Sequence, residues 1–213
     1  MRLATPEQVL EVMGIGNNTG SVLTAGAALD ATSRIVENML ETNLEEATYT
    51  DFFDYEYHYA RARFTPQTFM LSNRFLDSSV PVAVRESTSA LQGVTEGDAV
   101  DSTRYIVDSL NGTLTNLQDF PLGFYTVSVT YTAGFPTTGT DKVLKDAPDW
   151  LVRAGIVAAQ HFMSLTPAHV SSKKVTSATD IARSIREVLS VLINPYRRAR
   201  MGMNFPGRTV RHD

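Results

Sequence analysis

Between Tyr125 and Phe162 the chain changes period once, and that change limits what it can fold into. In Tyr125-Thr126-Val127-Ser128-Val129-Thr130-Tyr131-Thr132, the large side chains Tyr125, Val127, Val129 and Tyr131 alternate with Thr and Ser. Period two sets them on opposite faces of a strand, one buried and one wet. Ala133-Gly134-Phe135-Pro136 ends that strand, because Gly134 can take positive φ and Pro136 cannot donate to a ladder. Asp146-Ala147-Pro148-Asp149 then reads as a helix start, with Asp146 as cap and Pro148 in the first turn. Beyond it Leu151, Ala154, Gly155, Ala158, Phe162 and Leu165 recur at helical spacing and make one apolar face.

The N-terminal quarter is helical by the same logic. Thr5 caps, Pro6 takes the first helical position, Gln8 completes a capping box and Gly14 stops the helix. The loop Gly14 to Gly20 is no phosphate cradle: no strand precedes it and no Lys-Ser/Thr follows. Ser21 to Glu41 is amphipathic, with Ala25, Ala28, Leu29, Thr32, Ile35, Val36, Met39 and Leu40 inside. Glu37, Glu41, Glu45 and Glu46 lie outside that face or just past it, an acidic group that opposes the helix dipole and points to a partner or a functional acidic surface.

From Ala47 the pattern turns to strands. Thr48 to Arg63 is dense in Tyr, Phe and Thr, with Tyr55, Tyr57 and Tyr59 on one face, and Phe69–Leu71, Phe75–Leu76 and Val80–Arg85 read as further short strands. Beside Arg61, Arg63 and Arg74, these aromatics can stack bases or fill a core; core or subunit packing is the simpler reading. Asn111-Gly112 between Tyr105–Leu110 and Thr113–Leu117 predicts a hairpin that shares one antiparallel sheet with the Tyr125 strand. Thr166 to Thr176 reads as a loop. Ser177 to Asp180 offers a cap for a helix whose face is Ile181, Ile185, Val188, Leu189, Leu192 and Ile193, ended by Asn194-Pro195.

Charge is distributed unevenly. Residues 1–60 carry ten acidic side chains and two arginines, whereas 194–213 carry five arginines and one aspartate, in a chain of net charge -4. Unlike ends suit contact between unlike surfaces, in neighbouring copies or in other partners. The tail has too little apolar mass to fold alone, and its Arg, Met and aromatic groups are those of a segment that orders on docking. The chain has no cysteine, which excludes disulfides, thiolate metal sites and cysteine nucleophiles. No apolar run reaches the roughly 18 residues of a membrane span, and the first ten residues lack the apolar core of a signal peptide.

No catalytic, cofactor-binding or metal-ligating set is expected. His58, His161, His169 and His212 match no ligand spacing, and no G-x-S-x-G elbow occurs. The acidic pairs Glu45-Glu46 and Asp51/Asp54 can in principle hold a metal or act as acid and base, but acidic pairs are commonly just solvated surface.

Three words in order carry a family resemblance: Val129 to Gly134 (V-T-Y-T-A-G), the acidic-Pro helix start Asp146 to Trp150, and Pro195-Tyr196-Arg197. The chain resembles the head–tail connector (adaptor) proteins of long-tailed double-stranded DNA bacteriophages over about Leu23 to Arg198. The resemblance implies an α+β fold: a helical bundle of four helices, two N-terminal and two C-terminal, with an inserted antiparallel β-sheet region. The expected division is N-terminal helices in 1–46, a β-rich region in 47–136, C-terminal helices in 146–194 packing with 21–42, and a flexible basic tail in 195–213. The implied function is a non-enzymatic structural virion protein of the neck, assembled in the host cytoplasm. It forms a ring, a dodecamer, below the portal and lines the DNA exit channel. Its implied partners are its own copies, the portal protein, the next neck or tail-terminator protein, and passing DNA held without sequence-specific contacts. On this reading Tyr196, Arg197, Arg198, Arg200, Met201, Met203, Phe205 and Arg208 dock on the portal, and Glu37, Glu41, Glu45 and Glu46 form an acidic surface on the lumen or at a subunit interface. The alternative is a nucleic-acid-binding module that uses the Arg-rich tail and the aromatic strands.

Overall fold

A computed structural model describes residues 1–55, 66–93, 95–171, 178–196 and 203–212, and for 166–171, 178 and 203 the backbone alone. The described residues form four α-helices and eleven strands, the strands lying in a five-stranded, a four-stranded and a two-stranded sheet. This is an α+β fold with far more strand than a helical bundle carrying a small inserted sheet, and that expectation is corrected accordingly. The shortfall has a simple origin: edge strands of two to five residues are too short to show a periodicity. The chain divides into two compact units, Met1–Glu41 with Phe135–Arg198, and Thr42–Gly134 with Ala199–Asp213.

The first unit is helical. In α1 (Pro6–Met13) the Thr5 hydroxyl accepts from the Gln8 amide at 3.3 Å while the Gln8 side chain accepts from the Thr5 amide at 2.8 Å, and Gly14 closes the helix at φ 66°. The second helix, α2 (Thr19–Leu40), begins two residues before Ser21, because Asn18 and Ser21 form a reciprocal capping box of their own. Ala25, Ala28, Leu29, Thr32, Val36 and Leu40 are buried on it; Ile35 and Met39 are only half-buried. Helix α3 (Asp149–Ser171) starts at Asp149 rather than at a cap on Asp146, which takes the left-handed conformation at φ 58°. It also runs past Thr166 through Pro167, since one missing N–H does not end a helix whose other bonds persist. Helix α4 (Ala178–Ile193) buries Ile185, Leu189 and Ile193 but leaves Val188 exposed, and the cap read at Ser177 lies outside the described residues. Leu10, Val9, Ala25, Ala28, Leu29 and Ala159 share one core, lined by Val152, Ile156 and Phe162. The two-stranded sheet of β8 (Thr137–Thr138) and β9 (Val143–Leu144) belongs to this unit, and Arg2 joins it through Arg2 N to Lys142 O at 2.9 Å and Leu144 N to Arg2 O at 3.0 Å.

The second unit is a pair of sheets around an aromatic core. The larger has the order β11 (Arg208–His212), β1 (Ala47–Tyr55), β7 (Gly123–Ala133), β3 (Ala83–Glu86), β4 (Asp98–Ala99). The smaller has β10 (Met203–Asn204), β2 (Thr68–Met70), β6 (Thr113–Asn116), β5 (Tyr105–Asp108). All pairs are antiparallel except β10 with β2. The Asn-Gly hairpin is therefore present as β5–β6, but in the smaller sheet, not beside β7 as the sequence suggested. Strand β7 also departs from one wet face: Thr126 and Ser128 are as buried as Val127 and Val129, so both faces of the strand are covered there. Tyr49, Phe53, Tyr55, Phe69, Leu114, Phe120, Val127, Val129 and Tyr131 make the core that both sheets share.

Gly134 ends β7 at φ 98°, and a Cβ there would stand 2.7 Å from the Glu45 carbonyl oxygen. Only glycine satisfies both constraints.

Candidate interaction surface and the buried Asp51 cluster

Strand alternation puts Tyr49, Asp51, Phe53 and Tyr55 on one face of β1, so Asp51 stands within a row of core aromatics. It is fully buried. A buried carboxyl group is tolerable only if its lone pairs are satisfied, and here they are. Oδ2 accepts from the Ser72 amide at 2.6 Å and the Tyr131 hydroxyl at 2.8 Å; Oδ1 accepts from the Ser72 hydroxyl at 2.7 Å and the Thr209 hydroxyl at 2.6 Å. The Tyr131 hydroxyl in turn accepts from the Asn73 amide at 3.1 Å. Burial, and then the neighbouring charge of Asp51, push the Tyr131 hydroxyl well above the usual tyrosine range.

With four donors of its own chain on it, Asp51 has no capacity left for a substrate or a metal. What the cluster does is join β1, β7, the turn after β2 and β11 at one point. Asp54, its neighbour in the acidic pair, sits one residue out of phase on the strand; its Oδ1 accepts from the Tyr125 amide at 2.9 Å, where Tyr125 takes φ 52°. The two carboxyl groups therefore work separately, and the acid–base or metal reading of Asp51/Asp54 is set aside. Among the described residues, no group of three His, Asp or Glu side chains gathers as a metal site.

Among the described residues, the aromatics read as candidates for base stacking are spent inside. Tyr49, Phe52, Phe53, Tyr55 and Phe69 are buried; Tyr55 stacks on Phe69, and burial with a 2.7 Å bond to Asp119 pushes the Tyr55 hydroxyl up to about 12. Tyr57, Tyr59, Arg61 and Arg63 lie outside the described residues. His161 is half-buried, its Nε2 bonded to the Ser184 hydroxyl at 2.8 Å, and His212 Nε2 meets the Thr50 hydroxyl at 3.0 Å.

The docking set read from the sequence is divided between the units. Tyr196, in the helical unit, lies flat on Trp150 with ring centroids 3.8 Å apart and planes 4° from parallel. Arg197, Arg198, Arg200 and Met201 lie outside the described residues. Met203 contributes backbone to β10, opposite Thr68. Phe205 is 48% exposed, and Arg208 opens β11, its guanidinium 5.1 Å from the Phe52 ring centroid. The residues expected in a flexible tail thus include Arg208–His212, a strand in register with Thr48–Phe52. The acidic set is likewise divided: Glu37 (half-buried) and Glu41, the exposed C-cap of α2, in the helical unit; Glu45 (half-buried) and Glu46 (exposed) in the β unit.

Two features escaped the sequence reading. One is the Asp51 cluster, whose signal was an aspartate amid Tyr, Thr and Phe in a strand, where that residue type is depleted. The other is Arg2, whose guanidinium bonds Asp30 through two nitrogens at 2.8 and 2.9 Å and Asp141 at 2.9 Å. No protein-family model matches the chain, and no curated protein sequence matches it. Among the described residues, no helix is long and apolar enough to cross a membrane.

Proposed function

We propose that the chain is a head–tail connector subunit: a structural virion protein that closes into a ring below the portal, joins the capsid vertex to the tail and lines the channel through which DNA leaves. The observation that carries this reading is where the resembling words fall. The V-T-Y-T-A-G word is the end of β7 and the boundary between the two units, and it closes on Gly134, where a side chain has no room. The acidic-Pro word is the start of α3, and the P-Y-R word begins where α4 ends, in the turn that stacks Tyr196 on Trp150. The words that carry the resemblance are thus the joints of the architecture, whose spacing a related assembly protein would keep.

A structural role also agrees with how the polar groups are used. Asp51 and Arg2 are occupied by partners within the chain, and the buried Arg74 guanidinium lies over the Phe75 ring at 4.9 Å with its Nε 3.5 Å from the Leu110 carbonyl oxygen. A ring around DNA works best without tight phosphate contacts, since each neutralised phosphate adds affinity by counterion release. A net charge of -4 with only four lysines suits a channel through which a duplex slides. Head-to-tail contacts between the acidic first third and the basic tail supply the two unlike patches that a closed ring needs.

The portal-docking role belongs on this reading to Tyr196, Arg197, Arg198, Arg200, Met201, Met203, Phe205 and Arg208. Deleting 196–213 would also strip β1 of its edge strand, so point variants are the cleaner test. Phe205→Ala combined with Arg197→Glu, Arg198→Glu and Arg200→Glu should lower co-sedimentation with portal rings of the same phage by more than about tenfold, the effect of roughly 1.4 kcal/mol. Undiminished co-sedimentation would remove the docking assignment.

A further inference from the structure

The core of the β unit closes without the C-terminal segment. Every buried residue of that core lies between Tyr49 and Ala133, and β11 contributes none. Instead β10 and β11 are added at the outermost positions of their two sheets, β10 on β2 and β11 on β1. Their contacts are mostly backbone ladder and polar pairs: the five-residue register Thr48–Phe52 against His212–Arg208, Thr209 on Asp51 at 2.6 Å, His212 on Thr50 at 3.0 Å, and Asn204 Nδ2 on Gln67 Oε1 at 2.8 Å, with the Arg208 guanidinium over the Phe52 ring. This is the geometry of strand addition, in which a preformed sheet edge accepts a strand by main-chain bonds and a few side-chain pockets. The acceptor is incomplete without its donor: β1 would present an open edge, and Asp51 would lose one of its four hydrogen bonds.

We propose that in the assembled ring this strand is supplied by a neighbouring copy, so that Met203–Asn204 and Arg208–His212 of one subunit complete the sheets, and the Asp51 cluster, of the next. The inference rests on the connector reading. An identical copy reproduces every contact made within one chain, so exchange costs no interaction; the balance is set by effective concentration, which a ring raises by holding neighbours side by side. Donation around a ring is heterologous and closes with the ring's own symmetry.

The chain has no cysteine, so a disulfide at the Thr48/His212 register position reports without background. Full-length chains carrying Thr48→Cys alone and His212→Cys alone are co-expressed with different tags, oxidised, and separated on non-reducing gels. The double variant Thr48→Cys/His212→Cys is run beside them, and the native mass of each sample is measured. Donation predicts an oligomer, a disulfide between the two singly substituted chains, and a covalent ladder from the double variant. An oligomer in which the double variant closes only within single chains overturns the strand donation and leaves the ring reading standing. An oligomer with no disulfide at this register overturns it as well, since the strand then does not lie on β1. Monomers alone, with closure within the chain, overturn both.

Discussion

Replacing Asp51 by Asn keeps the shape but puts an NH2 group where two donors already point, leaving a buried clash of donors. Asp51→Asn should cost about 3 kcal/mol, read as a lowered urea midpoint at unchanged slope. Tyr131 gives the same cluster a signature in pH. Its folded-state pKa lies above the ordinary 10.0, so the stability it contributes is complete below that value and is lost as pH rises beyond it. Between pH 10 and 11 the native protein should lose stability relative to Tyr131→Phe with a slope approaching about 1.4 kcal/mol per pH unit. Asp30 works in the opposite direction. The Arg2 guanidinium bonded to it holds its carboxyl below the ordinary 3.8, so its contribution is present above that value and lost as pH falls through the folded pKa. The pair is open to water on the Asp30 side, which limits the effect to below about 1 kcal/mol. Asp30→Asn should therefore be less stable than the native chain by that small amount at pH 7, and in an acid titration the difference should shrink as pH falls below about 4.

At the scale of elements, two joints lend themselves to measurement. Gly134→Ala combines an unfavourable φ with a Cβ 2.7 Å from the Glu45 carbonyl oxygen, and should destabilise by at least about 2 kcal/mol. Trp150 is the sole tryptophan, so the Tyr196 stack has a built-in reporter: Tyr196→Ala should shift its emission toward that of a solvated indole. Elements long enough to show a period were legible beforehand: the α1 capping box from Thr5 and Gln8, the apolar face of α2, the β7 strand and the Asn-Gly hairpin. Sheet membership was not, because the hairpin's local signal says nothing of which distant strand it joins. Nor was the end strand. Arg208–His212 holds one apolar residue, Val210, among Arg, Thr and His and has no apolar face, so its structure comes from the β1 edge it pairs with rather than from its own pattern. The Asp51 cluster was hidden for the same reason, since Ser72, Tyr131 and Thr209 are far apart in sequence and meet only through pairing.

For the whole molecule, the proposed function is that of a wall segment in a symmetric collar. Its two units have separate cores, one helical and one of packed sheets, and the polypeptide passes from the first to the second and back before its basic end returns to the sheets. On the proposed function such a chain acts through symmetry, each copy joining two different neighbours by two different patches. The decisive measurement is cryo-electron microscopy of portal rings from the same phage incubated with the purified full-length chain. The account predicts a closed dodecameric collar seated on one face of the portal, with an open axial channel; a chain that stays monomeric in the presence of portal would contradict it.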